Sequence, residues 1–258
     1  MKELNPKAIT MHLDSINIGD IIVLDTVNST NTYAKELAQN DAKHNTVVIA
    51  NHQTAGRGRL GREFFSPSDT GLYMSIILRP YESLLDPTAV TIAAGVAVCR
   101  TIEEICNKRP QIKWVNDIFL DGRKICGILA EASTNSGTID YIIVGIGLNV
   151  STEDFPSELN HIAGSLGRNI DRNLIAGKLI AEFNRLQPFC GSCELIDEYK
   201  VRSLVLGKKI DFAKDGKTYT GIATDINNEG NLIVTLENDK TITLKSGEIS
   251  LRSERFTT

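Results

Sequence analysis

Residues 53–71, "QTAGRGRLGREFFSPSDTG", decide which fold class the chain adopts. From Gly56 they show the G-x-G-x-x-G spacing of a dinucleotide-binding loop. Such a loop needs a strand before it and, after it, a helix whose N-terminus receives a pyrophosphate. "TVVIA" at 46–50 predicts the strand, but Pro67 and a glycine interrupt the segment that follows, and arginines stand where small residues are usual. The spacing therefore does not indicate a Rossmann fold or a nucleotide-dependent oxidoreductase, and the sequence contains no Walker loop.

The same loop carries three arginines, Arg57, Arg59 and Arg62, between its glycines. Glycine leaves the backbone free to move, and the planar guanidinium binds carboxylate or phosphate through two parallel hydrogen bonds. The pattern predicts a loop that closes over a carboxylate and a phosphate together. A solvated basic surface loop is the alternative interpretation when this stretch is taken alone.

Composition limits the function classes. The 258 residues are 41% hydrophobic, enough for a large core, and the net charge of −4 argues against general nucleic-acid binding. No apolar run approaches the roughly 20 residues that span a bilayer, and the N-terminal stretch has no secretory apolar region. Five cysteines without repeated spacing are typical of a reducing cytosol, so we expect a cytoplasmic protein. The pair Cys190 and Cys193 is interpreted as two helix-end thiols rather than a metal or redox site.

Hydrophobic patterning predicts an α+β chain in two parts. Strands at 21–27, 46–50 and 71–79, a long helix that starts at Asp86 and Pro87, and later hairpins predict a mixed β-sheet with packed helices. This domain is expected to span residues 1–203. Residues 204–258 contain about five short strands separated by turn signals, which predicts a small C-terminal β-barrel.

Five motifs in order resemble those of the biotin protein ligases. They are "STN" at 29–31, "GRGRLGR" after Gln53, "KWVND" at 113–117, "GRKICGIL" at 122–129 and "GIGLN" at 145–149. The C-terminal barrel, with "GEISLR", is similar to the SH3-like domain of that family. The resemblance implies a class II synthetase-like catalytic domain that uses ATP, Mg²⁺ and biotin. Biotinyl-5′-AMP and pyrophosphate form first, and the biotinyl group then passes to a lysine of a carrier domain.

The resemblance implies a biotin site with a polar end and a glycine-arginine lid. The residues it assigns to biotin are Ser29, Thr30, Asn31, Gln53, Arg57, Gly58, Arg59, Lys124 and Gly127. Hydroxyl and amide groups suit a ureido head group, because a buried polar group binds selectively only when its donors and acceptors are matched. Ser29 and Thr30 also suit the N-cap of a helix, and both functions are compatible.

Lys124 and Arg57 are the predicted catalytic residues. Lys124 follows the turn at Asp121 and Gly122 and begins a strand, so its backbone should be rigid. The resemblance implies that its ammonium bridges the biotin carboxylate and the α-phosphate, where charge grows during the reaction. A solvated lysine beside a turn is the alternative interpretation.

The resemblance also implies a nucleotide side, consisting of Arg59, Arg62, Lys113, Asn116, Asp117 and Asn149. Asp117 is a candidate Mg²⁺ ligand or a base for the incoming lysine amine, and the sequence does not choose between them. Val115 stands where the family typically has proline, which removes a fixed φ angle and predicts a looser turn before Asn116. Trp114 is expected in the core, and Asn149 also suits a strand-end turn.

Two other functions are compatible with parts of the sequence. A lipoate or octanoate ligase shares the catalytic fold, but the arginine loop and the C-terminal barrel favour biotin. A repressor would need an N-terminal DNA-binding domain, and only 28 residues precede Ser29, so we expect no direct DNA binding. The implied partner is a biotin carboxyl carrier protein or domain of a carboxylase or decarboxylase. A homodimer is compatible with the sequence, and no membrane association is expected.

Overall fold

The computed structural model describes residues 3–13, 18–80, 86–247 and 249–251. The α-helices of this part are α1 Pro6–Thr10, α2 Thr30–Gln39, α3 Pro87–Cys106, α4 Arg172–Leu186 and α5 Cys193–Val201. The strands are β1 Ile21–Val27, β2 Val47–Gln53, β3 Gly71–Leu78, β4 Gln111–Lys113, β5 Asp117–Leu120, β6 Arg123–Asn135, β7 Thr138–Asn149, β8 Lys209–Lys214, β9 Lys217–Ile226, β10 Leu232–Leu236, β11 Thr241–Leu244 and β12 Ile249–Leu251.

The larger sheet has the strand order β1-β2-β3-β7-β6-β5-β4. β1 and β2 are parallel and the other neighbours antiparallel, so the predicted mixed sheet with packed helices is confirmed. On one face, α3 and α4 pack against alternate residues of the central strands and form the main core. On the other face, α2 covers Val48, Ile77 and Ile143. Since both faces are covered here, all eight residues of β3 are buried.

Two helices, α3 and α4, begin at the predicted capping residues. The Asp86 carboxylate accepts hydrogen bonds from two backbone amides in the first turn of α3, at 2.6 and 3.2 Å, with Pro87 at the first helical position. Asp171 caps α4 in the same way. Ser29 occupies the N-cap position of α2, but its side chain makes no capping bond, and Thr30 already lies in the helix. The N-cap position predicted at Ser29 or Thr30 is therefore confirmed at Ser29, but without a side-chain hydrogen bond to the helix.

The smaller sheet is antiparallel, with the order β11-β10-β9-β8-β12, as expected of an SH3-like module. It packs against the larger unit at Trp114, whose indole Nε1 donates a hydrogen bond to the Gly230 carbonyl oxygen at 2.9 Å. Trp114 is 3% exposed, which confirms its predicted place in the core. Glu248 and Arg252 of the "GEISLR" motif lie outside the described residues. The division of the chain at 203/204 stays a prediction.

No helix in the described part of the chain is long and apolar enough to cross a membrane.

Gly230→Ala should lower stability at the junction between the two sheets. Gly230 has φ +78°, and an added Cβ would lie 2.4 Å from Cδ1 of the buried Ile92. Overpacking of this kind costs about 1–3 kcal/mol, in addition to the strain of a left-handed alanine. Urea unfolding measures the loss. Gly216→Ala is the matched control, because Gly216 has φ +73° and nothing within 4 Å of the added Cβ. Equal losses in both variants would mean that the contact with Ile92 is unimportant.

Candidate active site

A cavity of about 300 Å³ opens on the α2 face of the larger sheet. The neighbouring strands meet there at three glycines, with Gly127 paired to Gly147 and Gly145 paired to Leu129. The residues that alternate with these glycines along the strand, such as Ile146 and Leu148, pack in the core on the other face of the sheet. The alternation of glycine with large apolar residues therefore leaves space on one face and builds the core on the other.

The polar end of the cavity is a connected set of side chains around the start of α2. The Gln53 Oε1 atom accepts hydrogen bonds from the Thr30 backbone amide at 2.8 Å and from the Thr30 hydroxyl at 3.1 Å. Ser75 Oγ lies 2.8 Å from Thr30 Oγ1 and 2.6 Å from Asn31 Oδ1. Thr30, Asn31 and Ser75 are buried together with Ser29, and Gln53 is half-buried, so these groups form a prearranged surface for a polar ligand group.

Lys124 reaches the cavity because β6 contains a bulge. Lys124 pairs with Phe119 and Cys126 pairs with Ile118, so one residue of β6 has no counterpart in β5. This extra residue turns the Lys124 side chain to the side of Gly127, where its Nζ lies 3.5 Å from the position of an added Cβ. Without the bulge, residues 124 and 127 would face opposite sides of the sheet.

The backbone and the charge of Lys124 are both held. Its amide donates to the Ile162 carbonyl oxygen, and its carbonyl oxygen accepts from the Gly164 amide, each at 2.8 Å. Its Nζ lies 2.7 Å from the Asp117 Oδ1, with both side chains about one quarter to one third exposed. A cation held in this way can act on an anion in the cavity without first being ordered.

The arginine loop crosses the cavity between β2 and β3. It contains one 3-10 turn, Arg59–Gly61, and no α-helix forms in residues 62–70, so the chain does not take the path of a dinucleotide-binding loop. Arg59 Nη1 donates to Asn116 Oδ1 at 2.9 Å, and Arg57 Nη2 donates to Glu131 Oε1 at 2.7 Å. Behind the loop, the Phe64 ring occupies the space that a side chain at Gly147 would need, and it lies in van der Waals range of Gly127. The loop is thus docked onto the sheet at both arginines.

The turn that contains Val115 is held by hydrogen bonds. Asn116 Nδ2 donates to the Ile128 carbonyl oxygen at 2.9 Å, and the Ile128 amide donates to the Asn116 carbonyl oxygen at 3.0 Å. The Tyr199 hydroxyl donates to the Val115 carbonyl oxygen at 2.9 Å, and burial raises the pKa of Tyr199, which keeps this donor protonated. The Trp114–Val115 peptide is cis. These contacts position Asn116 in a turn that lacks the proline.

The structure brings almost all of the predicted residues together. The cavity is lined by Ser29, Thr30, Asn31, Gln53, Arg57, Gly58, Arg59, Arg62, Lys113, Asn116, Asp117, Lys124 and Gly127. Asn149 is the exception: its buried side chain donates to the Gly164 carbonyl oxygen at 3.0 Å, and it is not part of the wall. It supports the same segment that holds the Lys124 backbone, and its contact with a nucleotide stays a prediction.

Three contributors were missed by sequence reasoning: Ser75, Phe64 and Glu131. Ser75 is the one strongly polar side chain in "GLYMSIIL", and this was a usable signal, because a hydroxyl in a fully buried strand needs a partner. Phe64 and Glu131 have no such signal, since their contacts depend on how the loop folds onto the sheet.

The Cys190 and Cys193 thiols are both free. Burial raises the pKa of Cys190 to about 11, so the thiolate that metals and redox partners require is disfavoured. Among the described residues, no group of three or more His, Cys, Asp or Glu side chains is arranged to hold a metal ion. Asp117 and Glu63 are the carboxylates on the cavity wall.

The mixed sheet, the glycine-lined cavity and the lysine beneath an arginine loop are the arrangement expected of a ligase domain with an anion-binding site. The comparisons give the same class. Residues 23–149 match the biotin/lipoate A/B protein ligase family, and residues 205–252 match the biotin protein ligase C-terminal domain. The chain belongs to the biotin/lipoate A/B protein ligase family.

Three relatives support this assignment, and the share of each chain that is matched differs between them. The bifunctional ligase/repressor BirA of Escherichia coli is 31% identical over 266 residues, which is 97% of this chain and 78% of that protein. The BirA of Bacillus subtilis is 44% identical over 158 residues, or 59% of this chain and 49% of its own length. Over that match the chain spans about half the length of the curated relative. The biotin protein ligase of Aquifex aeolicus, solved with biotin and ATP, is 30% identical with a TM-score of 0.77 and covers 90% of this chain and 98% of its own.

Proposed function

We propose that this protein is a biotin–protein ligase, which joins biotin to a lysine of a carrier protein through biotinyl-5′-AMP. One observation carries the proposal: a polar pocket at Thr30 and Gln53 and a cluster of cations at Lys124 and Arg59 line the same cavity. A ligand with a polar neutral head and a carboxylate tail fits such a cavity, and the cations suit the meeting of that carboxylate with a nucleotide phosphate.

In the first half-reaction, a biotin carboxylate oxygen attacks the α-phosphorus of ATP and the bond to pyrophosphate breaks. Two anions must approach each other, so the enzyme has to lower their repulsion and stabilise the charge that grows on the phosphoryl oxygens. Lys124 is the proposed bridge, and it would exchange its ion pair with Asp117 for contacts to the two anions. Arg57 and Arg59 would close over the product.

In the second half-reaction, a lysine amine of the carrier attacks the biotinyl carbonyl carbon, AMP leaves, and the amine releases a proton. Asp117 lies next to Lys124 and is the proposed acceptor of that proton or, alternatively, a ligand of Mg²⁺ bound with ATP. Mg²⁺ usually takes one or two carboxylates together with substrate phosphates, and one aspartate on the wall fits that pattern. When bound, the ion would neutralise phosphate charge.

The proposed partner is a biotin carboxyl carrier protein or domain of a carboxylase or decarboxylase. We also propose a cytoplasmic location, since the reaction consumes ATP and all five cysteines are free. A homodimer through a sheet edge is a further part of the proposal, because β1 is an edge strand of the larger sheet.

Pyrophosphate–ATP exchange with purified protein and Mg²⁺ tests the function, with biotin, lipoate and octanoate added separately. We expect exchange with biotin alone. Exchange with lipoate or octanoate instead would assign the protein to the lipoate branch of the same family. No exchange with any of the three acids would overturn the proposal, since the loop would then bind anions for another purpose.

Arg59→Ala should release biotinyl-5′-AMP into solution. Its guanidinium ties the lid to Asn116 at 2.9 Å, and the loss of a hydrogen bond to a charged group should speed adenylate dissociation by about 10- to 100-fold. Release of preformed radiolabelled adenylate measures the rate, and Arg57→Ala should act in the same direction. Arg168→Ala is the control, because Arg168 pairs with Glu153 on an exposed surface. Wild-type retention of adenylate in both loop variants would refute the lid.

A further inference from the structure

Glu131 links the arginine loop to the polar end of the cavity through the two oxygens of one carboxylate. Its Oε1 accepts from Arg57 Nη2 at 2.7 Å, and its Oε2 accepts from Asn31 Nδ2 at 2.9 Å. Glu131 lies on β6 opposite Ile143, two residues beyond Leu129 on the cavity face of the sheet. A single side chain therefore contacts the lid and the pocket.

On the pocket side, Glu131 sets the orientation of an amide. The Asn31 side chain is 5% exposed, and its Oδ1 lies 2.6 Å from Ser75 Oγ. Its Nδ2 faces Glu131 and, at 3.4 Å, the Leu129 carbonyl oxygen. A buried amide keeps its orientation when its donors and acceptor have matched partners. The carboxylate fixes the donor end, and Ser75 fixes the acceptor end.

On the loop side, Glu131 supplies the counter-ion that holds Arg57 on the sheet. The Arg57 and Glu131 side chains are 44% and 34% exposed, and a pair in such surroundings contributes little to global stability. A loop with glycine at 56, 58 and 61, however, loses much backbone freedom when it docks, so its docked and undocked states differ little in free energy. A weak ion pair is therefore enough to change how long the loop stays docked.

We propose that Glu131 is a positioning residue, which docks the arginine loop by its bond to Arg57 and orients Asn31 before substrate binds. Its consequences for catalysis rest on the proposed function, whereas the docking of the loop does not. If the loop is not docked beforehand, substrate binding must order it. The apparent affinity then equals the intrinsic affinity multiplied by the fraction of molecules in which the loop is docked. Glu131 should therefore act on KM and on adenylate retention rather than on kcat.

Limited trypsin digestion of the ligand-free, full-length protein tests the docking directly, because Arg57, Arg59 and Arg62 are cleavage sites within the loop. Glu131→Gln keeps the shape of the side chain but removes its charge and one acceptor. We expect the loop to be cut about twofold to fivefold faster, the range for losing a partly exposed ion pair. Mass spectrometry identifies the cut, and the thermal midpoint should stay near that of the wild type.

Glu237→Gln is the matched control, since Glu237 forms an exposed ion pair with Lys209 at 3.0 Å in the smaller sheet. It should be digested like the wild type. Cleavage of Glu131→Gln at the wild-type rate would overturn the proposal, and so would faster cleavage at sites throughout the chain, which would indicate general destabilisation.

A second measurement separates this proposal from the function. With biotin as substrate, Glu131→Gln should raise KM by about threefold to fivefold and leave kcat within about twofold. A loss of kcat with unchanged KM would refute a positioning role. Faster loop cleavage in a protein that exchanges pyrophosphate with none of the three acids would leave Glu131 as the loop's docking residue and overturn the ligase function alone.

Discussion

Lys124→Ala should lower the rate of biotinyl-adenylate formation by about 10²- to 10³-fold, the usual cost of removing one prearranged group that stabilises transition-state charge. The lysine is anchored through its backbone by Ile162 and Gly164, and its Nζ lies 2.7 Å from Asp117 beside the glycine-lined floor. Because the position is already ordered, its charge acts on the reacting anions with little reorganisation. Single-turnover formation of adenylate from biotin and ATP measures the effect.

Two controls make the Lys124 result specific. Lys178→Ala removes a lysine that pairs with Glu104 at 2.8 Å outside the cavity, and it should leave the rate unchanged. Lys124→Arg keeps the charge but replaces a compact ammonium with a planar fork, so it should recover only part of the rate. Near-normal adenylate formation by Lys124→Ala would show that the bridging role is wrong.

Gly145→Ala should weaken biotin binding by about 10- to 100-fold, since overpacking of a well-filled site typically costs 1–3 kcal/mol. An added Cβ would lie 2.1 Å from Asn31 Oδ1 and 2.8 Å from its Cγ. Asn31 cannot turn aside freely, because the movement would break its contacts with Ser75 and Glu131. Equilibrium binding of biotin, followed by calorimetry, measures the loss.

Gly95→Ala is the matched control for this substitution. Gly95 lies within α3, where an added Cβ would be 3.5 Å from Ile112 Cδ1, an ordinary van der Waals distance. Alanine is favoured over glycine in a helix by up to about 1 kcal/mol, so stability should stay the same or rise and biotin binding should not change. Wild-type biotin affinity in Gly145→Ala would show that Asn31 is not part of the biotin-binding site.

Much of the fold could be predicted from local sequence. The strand at 21–27, the helix that starts at Asp86 and Pro87 and the hairpins around "DGRK" depend on period, capping and turn residues, which act over a few positions. The mixed sheet and the small C-terminal module followed from the order of these elements. The candidate site could be predicted largely through the ordered motifs, since the predicted site residues other than Asn149 line one cavity.

Contacts between distant segments could not be predicted in this way. The side of the sheet that Lys124 faces depends on a one-residue bulge, and a shift of one residue reverses the face of every side chain in a strand. The functions of Glu131 and Ser75 depend on partners 44 to 100 positions away along the chain. A pattern in local sequence does not predict contacts between residues so far apart along the chain.

The sequence by itself determined the elements, the α+β class and the family resemblance, because these depend on residue types and spacings along the chain. Only the tertiary structure decided that the Ser29 side chain makes no capping bond to α2, that Asn149 supports the Lys124 segment, and that residues 247, 249 and 250 reach the cavity wall from the smaller sheet. The physical reason is that a hydrogen bond or an ion pair needs atoms within about 3–4 Å, a distance that packing sets and sequence separation does not.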